Sequence, residues 1–310
     1  MSETGTTERP RVAVAGVAAE GTPAPRIYYL HPLAAGALRA WDAHLARAAR
    51  LGFSHLLIAP PFAAEDLRAA EDFDRPHPAL AAGDDSLAAL HAIAEACAAH
   101  GLVPLLDVVL DRVAGGGAMA AARPDLFRAP DPARALDPRS YPADGDVAAA
   151  RFDVAAEPLA HWWAAQLASW HQAGMRGFRF DGLAAVPAQA LRRTIALLRD
   201  EAPDALLLAW TPGLTAEQAT ALAGSGLDCV FSSLPWWNFR DEWFWAEAER
   251  LAHVARVVAP VEAPFGARLA PDVADSTRRC AAARRLARFA AGMGAGWLMP
   301  MGFECGARQP

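Results

Sequence analysis

Short continuous apolar runs alternate along this chain with longer stretches of helical period. The runs are unbroken rather than alternating, which is typical of strands buried on both faces of a parallel sheet. They lie at residues 26–30, 55–60, 102–110, 177–181, 205–210, 227–233, 256–261 and 296–301. The stretches between them favour helices, and several end in the glycine that commonly stops a helix. These stretches lie at 38–51, 86–100, 159–173, 187–201, 216–223, 241–251 and 275–291.

This order of elements predicts the fold class. Eight strands with seven intervening helices form the alternation of a (β/α)8 TIM barrel, and a doubly wound parallel sheet is the alternative that the pattern leaves open. Residues 1–25 lack a sustained period, so we predict a flexible leader there and one barrel over 26–310. Residues 113–156 are dense in Pro, Asp and Arg and too long for a plain connection, which predicts an insertion between the third and fourth strands.

The last predicted strand is followed by little sequence. The chain stops nine residues after Met301, so we expect neither a closing eighth helix nor a C-terminal β domain. One flank of that strand would then be open. Another chain or a missing segment would cover it, or the sequence is a piece of a longer protein.

Composition and charge narrow the function classes. With 54% hydrophobic and 21% charged residues, the chain reads as an ordinary globular protein. Its net charge of -6 and its lack of a basic stripe interleaved with aromatics argue against a nucleic-acid partner. No run approaches the roughly 20 apolar residues of a membrane span. The first residues carry acids where a signal peptide needs positive charge, so we expect a cytoplasmic protein with no membrane partner.

The four cysteines do not mark a metal or redox site. They are scattered, without the close spacing that zinc or a redox pair requires, which predicts buried, reduced thiols at Cys97, Cys229, Cys280 and Cys305.

Candidate chemistry lies where the predicted strands end, since reactive groups cluster there in parallel barrels. Arg179 and Asp181 are two residues apart on the fourth strand, so both side chains point to the same face. A guanidinium beside a carboxylate favours the ionised carboxylate and orients it, which suits a nucleophile; an ordinary ion pair at the barrel mouth is the alternative. The other charged residues at strand ends are Asp107, Asp111, Arg112, Glu262 and Glu304.

Five segments carry a family resemblance: DVVLDR, GFRFD, LLAWTP, SSLPWWNFRDEW and MPMGFE, in this order. Together they resemble the α-amylase superfamily, glycoside hydrolase family 13. Within it, the chain is most similar to the amylase-like domain at the N-terminal end of some long bacterial α-1,4-glucan:maltose-1-phosphate maltosyltransferases. The resemblance covers about residues 26–306 and implies an α-glucan or maltooligosaccharide as partner, and also a maltosyltransferase catalytic domain.

The resemblance also implies roles for single residues. Asp181 takes the position of the nucleophile and Arg179 that of the arginine that orients it. Asp107 matches an aspartate that supports the sugar site. That motif ends Asn-His in the family and Asp111-Arg112 here, so the sugar-contacting histidine is replaced at this substrate-binding position.

Two departures bear on activity. A retaining mechanism needs a second, protonated carboxylate about 5 to 5.5 Å from the nucleophile, and the family supplies it from the fifth strand, where this chain has Leu208 or Ala209. The family's His-Asp pair after the seventh strand is replaced by Pro264 and Phe265. We therefore predict a catalytically degenerate, glucan-associated barrel.

Two alternatives remain open. One is an active retaining hydrolase or maltosyltransferase that uses Asp181, with the missing acid replaced by Glu262, Glu304 or a substrate phosphate. The other is a truncated portion of a longer maltosyltransferase.

Aromatic and acidic residues complete the candidates. Trp236 and Trp237 follow the sixth strand and are predicted to contact glucan, with packing on the barrel as the alternative. The aspartates of the insertion lack a compact loop spacing, so no metal and no cofactor is predicted; they are Asp125, Asp131, Asp137, Asp144, Asp146 and Asp153.

Overall fold

The computed structural model describes residues 24–130, 137, 139, 145–273 and 275–309. The predicted leader therefore lies outside the described residues, apart from its last two positions. The same holds for most of the middle of the predicted insertion.

Eight parallel strands close into a barrel, and the last strand pairs with the first. This confirms the predicted (β/α)8 class and excludes the doubly wound sheet, which would have two free edges. The strands are β1 Arg26–Leu30, β2 His55–Ile58, β3 Val103–Val109, β4 Gly177–Asp181, β5 Leu206–Ala209, β6 Cys229–Phe231, β7 Arg256–Pro260 and β8 Gly296–Pro300.

Seven longer helices connect these strands. Side chains cap several of their starts: Asp85 accepts a hydrogen bond from Leu87 N, and Thr215 and Gln218 form a reciprocal capping box. The helices are α1 Asp42–Arg50, α2 Ser86–Ala99, α3 Ala156–Gln172, α4 Ala188–Glu201, α5 Ala216–Ala221, α6 Trp243–Ala252 and α7 Ser276–Met293.

The strand pleat divides the core into two layers. Along β1, Ile27 and Tyr29 face the barrel interior, while Tyr28 and Leu30 face the layer beneath the helices. This alternation explains why the strands read as continuous apolar runs, since both faces are buried.

The connections at the carboxyl end of the barrel carry short additional elements. A hairpin pairs Phe62–Ala63 with Asp72–Pro76. After β3, the strands Arg112–Ala114, Phe127–Arg128 and Val147–Ala150 form a small antiparallel sheet, in which the last one is central. A short helix, Ala118–Ala122, lies between the first two. Farther along this segment, Arg139 Nη1 donates to Ser233 Oγ after β6 at 3.2 Å.

After β8, the described residues form a single 3-10 turn, Phe303–Cys305, and no α-helix. The neighbouring helix α7 is correspondingly exposed, and Ala290 is its one buried residue. No helix in the described part of the chain is long and apolar enough to cross a membrane. The prediction of four buried thiols is wrong for two of them, because Cys280 and Cys305 lie exposed on α7 and in this turn.

Candidate functional site

A buried ion pair occupies the interior of the barrel below its carboxyl end. Arg179 on β4 donates from Nε to Asp107 Oδ1 on β3 at 2.7 Å, and from Nη2 to Asp107 Oδ2. The hydroxyl of Tyr29 on β1 donates to the same Oδ2 at 3.0 Å. Asp107 is 2% exposed and Arg179 is fully buried, so three neighbouring inward-facing positions hold a charged cluster that water does not reach.

Aromatic rings surround the guanidinium of Arg179. Its central carbon lies 4.8 Å from the ring centre of Trp210, 5.1 Å from that of Tyr29 and 5.6 Å from that of Phe231. Burial alone lowers the pKa of an arginine, but the adjacent Asp107 carboxylate raises the pKa of Arg179 above its usual value. Burial raises the pKa of Asp107, and the adjacent Arg179 counters this shift, so the pairing offsets part of the cost of holding both groups inside an apolar cage.

The sequence led us to expect that Arg179 pairs with Asp181, and the structure pairs it with Asp107 instead. The reason is the register between β3 and β4, which sets Asp107 directly opposite Arg179 and Val109 opposite Asp181. Asp181 lies one inward position nearer the mouth. Arg179 still acts on it electrostatically, but through space rather than by a hydrogen bond.

Asp181 ends β4 and is 5% exposed. Its Oδ1 accepts a hydrogen bond from Gly182 N at 2.7 Å. Gly182 has a left-handed φ of 75°, and a Cβ there would collide with the carboxylate of Asp111. Asp111 in turn lies 3.6 Å from Arg112 Nε, so the structure brings Asp111 against the turn that follows Asp181, with Arg112 beside it.

The fifth strand presents an aromatic ring beside Asp181. The pairing of β4 with β5 sets Leu208 opposite Arg179 and Ala209 opposite Phe180, so the next residue, Trp210, is level with Asp181. Trp210 is 2% exposed and belongs to the interior cluster, whereas Ala209 faces the helices. The sequence argument considered Leu208 and Ala209 and missed Trp210, although the parity of the pleat from Leu208 would have indicated it.

Glu262 and Glu304, the two candidates for a replacement acid, both accept hydrogen bonds away from Asp181. Glu262 follows β7; its Oε2 accepts from Arg268 Nη1 at 3.0 Å and its Oε1 from Leu269 N at 2.6 Å. It therefore organises the loop after β7.

Glu304 lies on the opposite side of the β1 backbone from the interior. Its Oε1 accepts from the Tyr28 hydroxyl at 2.7 Å, and Arg47 on α1 is 3.4 Å away. Tyr28 faces the helix layer, so Glu304 is outside the barrel wall. The position after β8 turns this carboxylate away from the mouth.

Phe265 covers the interior from the loop after β7. Its ring centre is 5.9 Å from that of Tyr29 and 5.6 Å from that of His31, in edge contacts. The guanidinium of Arg68 stacks over it at 5.4 Å. Burial lowers the pKa of His31, and Arg268 adds to this shift. A neutral His31 ring therefore packs with Phe265 over the barrel interior.

The two predicted glucan-contacting tryptophans differ in position. Trp236 is half-buried, and its ring meets that of Trp210 edge-on at 6.3 Å. Trp237 is 8% exposed and stacks on Phe244 at 4.4 Å. Trp236 therefore borders the mouth, while Trp237 packs on α6.

Three of the described aspartates of the insertion pair with arginines, whereas the carboxylate of Asp146 lies against Gly115. No group of three or more His, Cys, Asp or Glu side chains suited to a metal ion occurs within the described ranges. Asp131 and Asp144 lie outside the described residues. The pairs are Asp125–Arg123, Asp137–Arg139 and Asp153–Arg128.

Two solved structures illustrate the likeness of this fold to α-amylase barrels. An α-amylase from Lactobacillus plantarum matches with a TM-score of 0.70 at 18% identity, covering 92% of this chain and 73% of that one. An α-glucosyl transfer enzyme, XgtA, matches with a TM-score of 0.74 at 16% identity, covering 93% and 69%. No family model matches the chain. The protein is an amylase-like (β/α)8 barrel.

A relative among curated proteins agrees with this class. An α-1,4-glucan:maltose-1-phosphate maltosyltransferase of Burkholderia pseudomallei (strain K96243) is 35% identical over 301 residues, which cover 93% of this chain. The resemblance to the α-amylase superfamily, and within it to long maltosyltransferases, is confirmed. The chain spans about a quarter of the length of this relative, 26%.

Proposed function

We propose that this barrel binds an α-1,4-glucan or maltooligosaccharide and does not hydrolyse it at ordinary enzyme rates. The observation that carries the proposal is Trp210, an apolar ring at the inward position beside Asp181 on β5. Similarity to an α-1,4-glucan:maltose-1-phosphate maltosyltransferase and to an α-amylase supports the substrate class.

Asp107 and Glu262 are not available as proton donors to a substrate at Asp181. Asp107 accepts three hydrogen bonds from Arg179 and Tyr29, and both oxygens of Glu262 accept hydrogen bonds in its own loop. Losing a positioned general acid costs about 10²- to 10⁴-fold in rate. Phe265, over Tyr29, adds apolar surface where the family grips sugar hydroxyls, so the loss should be larger still.

Product formation tests this proposal. Purified protein and Asp181→Asn are incubated with maltoheptaose, with and without maltose 1-phosphate, and products are separated by chromatography. We expect no product from either protein, together with saturable binding of maltoheptaose in calorimetry. Turnover by the wild type that disappears in Asp181→Asn would refute degeneracy.

A second candidate function is transfer from a sugar phosphate. It is favoured by Asp181 Oδ2, which accepts no hydrogen bond from the described residues, so the carboxylate keeps one oxygen available. Phosphate is a good leaving group and needs less protonation than an alkoxide. Incubation with a fluorinated maltosyl donor followed by mass spectrometry should give an adduct on Asp181 if this function is correct, and no adduct if it is not.

We further propose that the barrel acts in the cytoplasm beside a maltosyltransferase catalytic domain. The support is the relative, in which the matching region makes up 26% of a longer polypeptide. Co-purification of this chain with such a domain, at a defined stoichiometry in light scattering, is the expected result. Separate elution at micromolar concentrations would argue against it.

A further inference from the structure

The barrel interior below the mouth has almost no contact with solvent. Tyr29 is 1% exposed, Trp210 is 2% exposed and Asp181 is 5% exposed. Two half-buried rings pack on the interior cluster at the carboxyl end of the barrel, Trp236 after β6 and Phe265 after β7. A sugar that reaches Asp181 would therefore have to pass these rings.

Phe265 is held by contacts with three neighbouring side chains. Its ring meets Tyr29 edge-on at 5.9 Å and His31 edge-on at 5.6 Å. The guanidinium of Arg68 lies over the ring at 5.4 Å, and Asp66 fixes this guanidinium through hydrogen bonds of 3.0 and 2.8 Å. The ring therefore has a defined position above Tyr29 before any ligand arrives.

A buried ion pair closes the base of the loop that carries Phe265. Glu262 and Arg268 are each 6% exposed, and Arg268 Nη1 donates to Glu262 Oε2 at 3.0 Å. Arg268 Nη2 also donates to Met301 O after β8 at 3.2 Å, and Leu269 N donates to Glu262 Oε1 at 2.6 Å. The two ends of the loop are therefore fixed to each other and to the segment after β8.

The loop between these two ends has little conformational freedom. Pro264 is buried and its ring fixes its own φ, and Gly266 N donates to Ala263 O at 3.1 Å. A Cβ at Gly266 would lie only 2.7 Å from the Cβ of Ala263, so the turn is tightly packed. Phe265 lies between Pro264 and Gly266, and this turn presents its ring to the interior.

We propose that Phe265 is a plug that keeps a sugar out of the barrel interior, and that the Glu262–Arg268 pair holds the plug in place. This inference rests on the proposed glucan binding and adds a rule for the same site: the glucan stays at the mouth, and no glucose unit reaches Asp181. Loss of catalysis then has two separate causes, the missing acid and the closed path. Transfer from a sugar phosphate, the second candidate function, would require Phe265 to move first.

Two variants open the interior in different ways. Phe265→Ala removes the ring and leaves a gap similar in size to a pyranose ring. Arg268→Met keeps Phe265 but removes the ion pair at the base of its loop. Phe265→Tyr, which keeps the ring, is the first control. Phe289→Ala is the second, because Phe289 is a half-buried phenylalanine that packs on Trp237 and Phe239 in the helix layer.

Hydroxyl-radical footprinting read by mass spectrometry measures the exposure of single side chains. The oxidation rates at Tyr29 and Trp210 are divided by the rate at Leu87, which is 42% exposed on α2. Without sugar, we expect low rates at both residues in the wild type and in the two control variants. Both rates should rise severalfold in the two variants that open the interior.

Addition of maltoheptaose tests whether the sugar enters. In Phe265→Ala the sugar should lower the oxidation rates at Tyr29 and Trp210 toward the wild-type values, because a glucose unit then shields both rings. In the wild type the sugar should leave both rates unchanged, while calorimetry shows that it binds.

The outcomes separate this inference from the proposed function. If the wild type binds no maltoheptaose, the proposed function fails, and the rates without sugar alone decide whether Phe265 is a plug. Unchanged rates without sugar in Phe265→Ala would overturn the inference. If the wild type binds the sugar, two further results would overturn it: protection of Tyr29 in the wild type, and no protection of Tyr29 in Phe265→Ala.

The role of the ion pair has its own test. Unchanged rates in folded Arg268→Met would show that the pair does not hold the plug. If oxidation rises at strand residues throughout the barrel, Arg268→Met is unfolded. Glu262→Gln, which removes the charge but keeps the shape of the side chain, then takes its place, and it should raise the rates at Tyr29 and Trp210 while its circular dichroism stays that of the wild type.

Discussion

Removing Arg179 should destabilise the barrel far more than removing an arginine from the surface. In Arg179→Met the carboxylate of Asp107, 2% exposed, loses both hydrogen bonds from the guanidinium. Tyr29 remains as its donor. An uncompensated buried charge of this kind costs about 3 to 5 kcal/mol. That is a large share of the roughly 5 to 15 kcal/mol that stabilises a typical folded protein.

The same substitution at an exposed pair provides the control. Arg128 donates to Asp153 at 2.9 Å, with side chains 52% and 48% exposed. Water screens this pair, so Arg128→Met should cost about 0 to 1 kcal/mol. Urea unfolding followed by fluorescence gives both values, provided that the denaturant slope is the same in all variants.

The double variant Asp107→Asn, Arg179→Met identifies the cause. If the unpaired Asp107 carboxylate causes the loss of stability, Asp107→Asn removes that charge and recovers part of the free energy of unfolding. The double variant should then be more stable than Arg179→Met alone. Two results would refute the reasoning. One is a loss in Arg179→Met no larger than in Arg128→Met, and the other is a double variant less stable than either single variant.

Three further predictions concern stability. Burial lowers the pKa of His55 to about 4, and Arg26 and Arg256 add to this shift. The folded protein therefore holds the imidazole neutral at a pH where the unfolded chain binds a proton. As the pH falls from about 6.5 to about 4, the free energy of unfolding should drop by up to roughly 3 kcal/mol. His55→Gln should flatten this dependence in urea titrations across that range. Gly182→Ala should lower the free energy of unfolding by at least about 1 to 2 kcal/mol, because the backbone there is left-handed. The collision of the new Cβ with Asp111 should add to this loss. Gly116→Ala is the control, since a Cβ there meets open space, and it should unfold at nearly the wild-type urea midpoint. Asp275→Ala, which removes the cap that accepts from Arg278 N at 2.7 Å, should cost about 1 kcal/mol, and hydrogen exchange should localise the loss to the first turn of α7.

The barrel could be predicted because its elements are encoded locally. All eight continuous apolar runs overlap a barrel strand, since a strand buried on both faces carries the signal in its own residues. The pairing of Arg179 could not be predicted in this way. Its two-residue spacing from Asp181 indicates only a shared face. The partner is decided by the register of β4 against β3, which depends on closure of the whole barrel.

Turns limited the prediction for the carboxylates in the same manner. Glu262 follows its strand by two residues and Glu304 by four, and this spacing does not show which way each side chain turns. In the structure, Glu262 accepts a hydrogen bond from Leu269 N within its own loop. Glu304 accepts one from the Tyr28 hydroxyl on the outer side of the barrel strands. A one-residue change in turn geometry decides which face a carboxylate reaches, so proximity in sequence to a strand end is weak support for a catalytic role.

The aromatic residues at the mouth connect the proposed loss of catalysis to the stability of the barrel. Trp210 lies against Arg179 and Phe231 in the interior, and Phe265 covers Tyr29 from above. A protonated acid in the place of Trp210 would need an open path to the leaving group of a substrate. Such a path would expose the Asp107–Arg179 ion pair, which the Trp210 ring now shields from water. The residues at the positions that the family resemblance assigns to the acid and to the sugar contacts are thus the ones that shield Asp107 and Arg179 from water. For this reason a single substitution of Trp210 by Glu should unfold the interior before it restores hydrolysis.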